Sequence, residues 1–207
     1  MNKIKILLAD DHAIVREGLS LLLGFQRDFA VVGEAVDGRD AVRKAAELTP
    51  DVVLLDLMMP ELDGADATRE ILKACPKTRI LLLTTFGDSA DLNRAFENGA
   101  QGAITKDLPK ERIFDAIRKT AAGECVLSPE IEQSLQEGGS LNAVSDRQRD
   151  ILDGLARGLT NRDIACQLGL SEAGVKFHLL KIFRFLGAAN RSEAAAIALR
   201  RHLLKSR

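Results

Sequence analysis

The sequence has little of the material from which membrane proteins, metal-binding clusters and disulfide-rich domains are built. It contains no Trp and no Tyr, only three Cys and three His, and no apolar run near the ~18 residues of a membrane span. The apolar run near the N-terminus stops at Asp10, which makes it too short for a signal peptide. Neither the cysteines nor the histidines have the spacing of a metal site. We therefore expect a cytoplasmic protein with no membrane partner. The cysteines are expected to be free thiols, at Cys75, Cys125 and Cys166. The histidines are expected to have capping or packing roles, at His12, His178 and His202.

The net charge of −1 conceals an uneven distribution along the chain. Residues 140–207 contain 12 Lys and Arg against 6 Asp and Glu, a charge of +6, whereas residues 1–139 carry −7. Basic segments supply the salt-dependent attraction to phosphate that nucleic-acid-binding proteins use. The split, together with a length of 207 residues, indicates two domains with different partners.

The first 121 residues alternate strand and helix patterns. Strand-like apolar runs begin near residues 4, 30, 52, 79 and 102, and each is followed by a segment with helical spacing. Five such units predict a parallel sheet with helices on both faces. Residues 122–143 carry Gly123, Pro129, Gly138, Gly139 and Ser140 and are predicted to be a linker with a short helix near Pro129. Residues 144–207 predict a second domain of four short helices, with caps at Ser145, Thr160 and Ser171.

Chemically useful side chains stand where the predicted strands end. Asp10 and Asp11 follow the first strand, Asp56 the third, Thr84 the fourth and Lys106 the fifth. Ligands of parallel sheets bind beyond the carboxyl ends of the strands, so these side chains are expected to converge. A lone Asp after a strand is more often a helix cap, but capping does not explain the joint occurrence at four strands. Three carboxylates favour Mg²⁺, and a carboxylate beside Mg²⁺ and an ammonium group can accept a phosphoryl group.

Four segments resemble the receiver domain of two-component response regulators: Ala9–His12, Asp56–Gly64, Thr84–Thr85 and Thr105–Asp107. The resemblance covers about residues 3–121 and implies a flavodoxin-like (βα)5 α/β fold. It implies that Asp56 accepts phosphoryl from the phosphohistidine of a sensor histidine kinase, and that Thr84 and Lys106 then hold phosphoryl oxygens. It also implies an Mg²⁺ ion bound directly by Asp11 and Asp56, through water by Asp10, and by the backbone carbonyl of Met58.

One position departs from the receiver pattern. Receivers usually have an aromatic residue three positions before the strand-five lysine, and this ring rotates inward on activation. The corresponding residue here is Ala103. The phosphoryl chemistry does not need the ring, but we expect altered coupling to the face formed by the fourth helix and the fifth strand.

The C-terminal part contains a helix-turn-helix pattern. A short helix from Thr160 to Gln167 is followed, after a turn at Gly169, by a longer helix from Glu172 to Leu186. Apolar residues at three- and four-residue spacing in the longer helix predict a face that packs on the other helices. We predict that the opposite face contacts DNA, with Lys176 and Arg184 as the natural phosphate or base contacts, and that it comprises Lys176, Phe177, Leu180, Lys181 and Arg184.

Four segments in about residues 142–207 resemble the LuxR-type DNA-binding domain: residues 158–165, 168–171, 175–178 and 186–194. With the receiver, the chain is similar to the NarL/FixJ family of transcriptional regulators, which adds a small all-α four-helix domain to the α/β receiver. The recognition helix departs from the family at Gly174, where Thr is usual, and has apolar residues where polar ones are expected, at Phe177, Leu180 and Phe185. Gln148 replaces a usual Glu. Exposed Phe and Leu together are also typical of protein interfaces.

These patterns predict a regulator whose only enzymatic chemistry is its own phosphoryl transfer and autodephosphorylation. In the resting state the receiver would cover the recognition helix, and phosphorylation of Asp56 would favour a homodimer that reads two half-sites of promoter DNA. One alternative is a phospho-dependent protein-interaction regulator whose helix-turn-helix domain has lost specific DNA binding. Another is a metal phosphatase with Asp10 as nucleophile, against which the Asp56 motif and the lack of a capping domain argue.

Overall fold

A parallel sheet organises the N-terminal part of the chain. The structure is a computed structural model that describes residues 3–85, 89–137, 144–201 and 203–204. Its strands are β1 (Ile4–Ala9), β2 (Phe29–Ala35), β3 (Val52–Asp56), β4 (Arg79–Thr84), β5 (Gly102–Thr105) and β6 (Val126–Leu127). They lie in the order β2-β1-β3-β4-β5-β6, and all neighbours pair in parallel. The order reverses at β1 and β3, which is where open parallel sheets bind ligands.

Helices cover both faces of this sheet, and they are α1 (Ala13–Gly24), α2 (Gly38–Leu48), α3 (Gly64–Ala74), α4 (Ser89–Glu97) and α5 (Lys110–Ala121). Because side chains alternate along a strand, Leu7 and Ala9 of β1 pack with α2, α3 and α4, whereas Ile6 and Leu8 pack with α1 and α5. The predicted five strands and five helices are confirmed, and each strand begins within one residue of its predicted start. Pro109 is the N-cap residue of α5.

The segment predicted to be a linker adds two elements to the receiver. These are β6, in which Leu127 pairs with Ala103 at the sheet edge, and α6 (Pro129–Glu137). The short helix expected near Pro129 is therefore present. The extra strand was not predicted, since two residues are too few to show a periodic pattern. Residues 138–143 lie outside the described residues, and the domain boundaries stay a prediction.

Four helices form the C-terminal core, as predicted: α7 (Asp146–Ala156), α8 (Asn161–Leu168), α9 (Glu172–Leu186) and α10 (Arg191–Arg200). The predicted starts are confirmed by capping geometry. Ser145 with Gln148, and Thr160 with Asp163, form reciprocal capping boxes, and Ser171 accepts a hydrogen bond from the Gly174 N–H. The apolar stripe of α9 packs in this core through Val175, Leu179, Ile182 and Leu186. Helix α10 ends at Arg200.

The cysteines are free thiols, as expected from their number and spacing. Cys75 is buried, Cys125 is partly buried and Cys166 is exposed. Over the described residues, no helix combines the length and the apolarity needed to cross a lipid bilayer.

Candidate functional site

The predicted acidic residues converge at the carboxyl edge of the sheet. Asp10 follows β1 directly, and Asp56 is the last residue of β3, the neighbouring strand. One ligand atom each from Asp10, Asp11, His12 and Asp56 lies within 4.8 Å of all the others. Asp10 and Asp56 are buried, while Asp11 and His12 face solvent. This is a cluster of negative charge that is open on one side.

Lys106 supplies the counter-charge from the end of β5. Its Nζ donates to Asp56 Oδ2 at 2.7 Å and forms an ion pair with Asp10, with 2.6 Å between Nζ and Oδ2. The side chains are 15% exposed for Lys106, 2% for Asp10 and 5% for Asp56, so solvent screens these contacts little. One ammonium group therefore holds two buried carboxylates together.

Burial and the neighbouring charges have opposite effects on the pKa values of Asp56 and Lys106. Desolvation raises the pKa of the Asp56 carboxyl, against the opposing effect of its hydrogen bond to Lys106. Burial lowers the pKa of the Lys106 ammonium, but the hydrogen bonds to Asp10 and Asp56 outweigh it and the pKa is raised overall. Lys106 is thus a fixed cation, and the Asp56 carboxylate depends on it.

The cluster fits a hard divalent cation. Asp10, Asp11 and Asp56 offer carboxylate oxygens, which are ligands that Mg²⁺ prefers. The Met58 N–H donates to Asp56 Oδ1 at 3.3 Å, which fixes the backbone of Met58 beside that carboxylate. Thr84 ends β4 at the same sheet edge, and its buried Oγ1 has no hydrogen-bond partner within the described part of the chain. A buried hydroxyl without a partner is suited to an incoming oxygen-rich group.

His12 belongs to this cluster, which its sequence context did not indicate. Its Nδ1 lies 2.7 Å from Asp11 Oδ1 and 3.3 Å from Asp10 Oδ1, and its side chain makes no capping hydrogen bond to α1. The expected capping role is therefore wrong for the His12 side chain. The packing role expected for His178 is confirmed, since it is 4% exposed, and His202 lies outside the described residues.

The five residues predicted to contact DNA do not share one exposed face in this structure. Lys176, Leu180 and Arg184 are exposed. Phe177 is 0% exposed and belongs to the buried cluster of the receiver. The Lys181 Nζ is half-buried and donates to the Asn93 side chain of α4 at 2.8 Å. The predicted exposed position of Phe177 is thus wrong for this conformation, because helix α9 rests on the receiver.

The contact between α4 and α9 is aromatic at its centre. The rings of Phe96 and Phe177 are stacked, with centroids 4.2 Å apart and planes 11° apart. The Ser171 hydroxyl lies 3.4 Å from the Ala100 carbonyl oxygen, to which it donates. Phe96 and Asn93 were not singled out from the sequence. The surplus of Phe and Leu on α9 was the available signal, and it indicated an interface without naming the partner.

Comparison with known proteins covers both parts of the chain. Residues 6–118 match the response regulator receiver domain, and residues 142–198 match the bacterial regulatory proteins of the luxR family. The chain is 36% identical over 207 residues to response regulator protein VraR of Staphylococcus epidermidis, covering 98% of this chain and 99% of that protein. It is 37% identical over 208 residues to transcriptional regulatory protein YdfI of Bacillus subtilis, covering 97% of each. A crystal structure of ChrA, a response regulator of a heme-sensing two-component system, is 38% identical, with 99% of this chain and 100% of that chain covered and a TM-score of 0.57.

Proposed function

Because the chain belongs to the two-component response regulators that join a receiver domain to a LuxR-family DNA-binding domain, we propose that phosphoryl transfer to Asp56 controls its action on transcription. The observation that carries this proposal is the Lys106 ammonium bridging Asp10 and Asp56 at the switch point of the sheet. A carboxylate placed beside a fixed cation and further carboxylates is suited to phosphoryl transfer, which depends mainly on positioning and charge neutralisation.

The phosphoryl donor is a phosphohistidine of a sensor histidine kinase. An Asp56 oxygen forms a bond to phosphorus as the phosphorus–nitrogen bond of the donor breaks, and the released imidazole takes up a proton. Mg²⁺ would be held directly by Asp11 and Asp56, through water by Asp10, and by the backbone carbonyl of Met58. When bound, this ion neutralises charge on the transferring phosphoryl group.

The phosphorylated carboxylate is held by the remaining residues of the pocket. Lys106 exchanges its contact with Asp56 Oδ2 for a phosphoryl oxygen, and Thr84 Oγ1 donates to another. These contacts pull β4 and β5 toward the new charge. Autodephosphorylation occurs when a water oxygen bonds to phosphorus and the bond from phosphorus to the Asp56 oxygen breaks, which releases inorganic phosphate and the free carboxylate. The chain has no other enzymatic role in this proposal.

DNA binding follows from the basic C-terminal part. Lys176 and Arg184 lie exposed on α9 and contact phosphates or base edges, with Lys181, Phe177 and Leu180 beside them. Phe177 and Lys181 reach DNA only after α9 leaves α4, because both contact the receiver here. Two released chains form a homodimer whose recognition helices read half-sites of promoter DNA one helical turn apart. The cytoplasmic location stays a prediction.

The test compares the wild type with Asp56→Asn. Genome-wide mapping of bound DNA with both proteins supplies the duplexes, and gel shifts with and without acetyl phosphate then follow over a salt series. We expect one phosphoryl group per wild-type chain by mass spectrometry, none on Asp56→Asn, and tighter, salt-sensitive binding only for the phosphorylated wild type. Asp115→Asn, an exposed carboxylate of α5, is the matched control and behaves as wild type.

Two results would contradict this proposal in different ways. Phosphoryl incorporation that persists in Asp56→Asn removes Asp56 as the acceptor. Normal incorporation without salt-sensitive binding to any duplex instead supports a phospho-dependent protein-interaction regulator, in which the apolar residues of α9 have replaced DNA contacts.

A further inference from the structure

The recognition helix meets the receiver through residues that distinguish it from other LuxR-type helices. We propose that Phe177 is shared between two partners: in the closed chain it fills space that the small Ala103 side chain leaves in the receiver, and DNA reading requires its release. This inference rests on the proposed function for its DNA-bound state, whereas the closed state stands on the contacts described below. We call the paired residues Phe96, Ala103, Gly174 and Phe177 the aromatic lock.

The receiver side of the aromatic lock contains two small buried residues beside Phe96. Ala103 of β5 and Ala100 before it are 0% exposed and belong to the same buried cluster as Phe96 and Phe177. An aromatic side chain at position 103 would need volume in that cluster. Because the residue is alanine, a ring from α9 supplies the bulk instead, and Phe177 is among the largest fully buried side chains of the described chain.

The close contact of α9 with the end of α4 explains why residue 174 is a glycine. A Cβ atom at Gly174 would lie 2.9 Å from the Phe96 carbonyl oxygen, closer than a carbon normally approaches a backbone oxygen. Glycine weakens the first turn of α9, because it is a poor helix former. The gain is a close approach between α9 and the end of α4, and this approach places Phe177 on Phe96.

The aromatic lock is joined to the phosphorylation pocket along one strand. Ala103 and Lys106 are three residues apart, which corresponds to about 10 Å along an extended strand. Thr105 pairs with Thr84 on the neighbouring strand. A movement of Lys106 and Thr84 toward a phosphoryl group therefore displaces β5, whose Ala103 belongs to the same buried cluster as Phe177. The recognition helix α9 therefore responds directly to the displacement of β5, to which an aromatic ring at position 103 would otherwise respond.

The reactivity of the natural cysteines measures the separation of α9 from the receiver directly. Cys125 lies under α9, with its Sγ 3.8 Å from the Ala173 carbonyl oxygen, and burial raises the pKa of its thiol to about 11. It therefore holds roughly two orders of magnitude less thiolate than a solvated cysteine at neutral pH. Cys166 is exposed and reports intrinsic reactivity, while the buried Cys75 of the receiver core reports global unfolding.

The test is alkylation of the unphosphorylated, DNA-free full chain with iodoacetamide, quantified for each cysteine by mass spectrometry. Phe177→Ala is expected to speed Cys125 labelling on the order of 100-fold and to leave Cys75 unreacted. Phe185→Ala removes a ring from the same helix on the side that packs in the C-terminal core, and leaves Cys125 protected. Gly174→Ala speeds Cys125 labelling although it favours the helix, which separates opening from loss of helix stability.

A double-mutant cycle tests the pairing with Ala103. Ala103→Phe is expected to speed Cys125 labelling in the wild type, because two rings compete for one space, and to add nothing in Phe177→Ala. The inference is overturned if Phe177→Ala leaves Cys125 protected, or if Ala103→Phe acts equally in both backgrounds. Neither result bears on phosphoryl incorporation at Asp56. Conversely, failure of Asp56 to accept phosphoryl overturns the proposed function and leaves the labelling results in place.

Discussion

Replacing Lys106 by Met tests the charge balance of the phosphorylation pocket. The change keeps an unbranched side chain of similar length and removes the ammonium that lies 2.6 Å from Asp10 and 2.7 Å from Asp56. Removing one partner of a buried ion pair costs about 3–5 kcal/mol, because the charge left behind is unpaired and poorly solvated. Here two nearly buried carboxylates lose one shared partner. We expect the free energy of unfolding to fall by about 3–5 kcal/mol at neutral pH in the presence of a chelator.

Mg²⁺ is expected to restore more stability to Lys106→Met than it adds to the wild type. In the wild type the ion competes with the ammonium for the same carboxylate oxygens, whereas in the variant these oxygens have no other cation. A ligand that binds only the folded state stabilises it by RT ln(1 + [L]/Kd), so the gain is larger where the ion binds more tightly. Urea unfolding followed by circular dichroism, with chelator and with millimolar Mg²⁺, measures both gains.

The control for this measurement is Lys119→Met on α5. Lys119 pairs with Asp115 at 2.8 Å, but both side chains are about half exposed, so solvent screens the pair and the change has little effect on stability. Its stability gains no more from Mg²⁺ than that of the wild type. Equal Mg²⁺-dependent gains in Lys106→Met and the wild type would refute the reasoning, since the ion would then bind elsewhere than at the carboxylates that Lys106 neutralises.

Two further substitutions test single buried groups. Burial lowers the pKa of His178 to about 4, so the folded chain keeps it neutral while the unfolded chain takes up a proton below its ordinary value near 6.5. The free energy of unfolding therefore decreases as pH falls from about 6.5 toward 4, by about 2 kcal/mol at pH 5. Urea unfolding should show this loss in the wild type and in the control His12→Gln, which changes an exposed histidine, but not in His178→Gln. Thr84→Val removes the buried hydroxyl that lacks a partner, so the unphosphorylated chain should gain about 1 kcal/mol in urea unfolding. The same variant should lose the acetyl-phosphate-dependent gain in DNA affinity, and retention of that gain would remove Thr84 from the switch.

The sequence predicts those parts of the fold that are encoded locally. The buried run of β3 and the capping boxes of α7 and α8 depend on neighbouring residues, and each was placed to within one residue. The acidic cluster could also be predicted, because the ends of parallel strands meet whatever the details of packing. The contact between Phe96 and Phe177 joins residues 81 positions apart across two domains. A periodic pattern marks which face of α9 is apolar, but it cannot say that a second face meets another domain.

Gly174 and Phe177, the unusual residues of α9, are both explained by the closed state, in which α9 packs on the receiver. Gly174 costs about 1 kcal/mol of helix stability compared with alanine, and nothing within the C-terminal core requires a glycine there, since the nearest atom outside α9 and its cap belongs to Phe96. Phe177 on an isolated DNA-binding domain would be an exposed ring on a basic surface. On the receiver it is stacked and fully buried. The cost of Gly174 is present in both states and is offset only in the closed one, whereas the exposed Phe177 ring is unfavourable only in the open state. Both residues therefore set the resting equilibrium toward closure. A phosphoryl group at Asp56 must overcome that bias, so the energy of the aromatic lock determines how strongly DNA binding depends on phosphorylation.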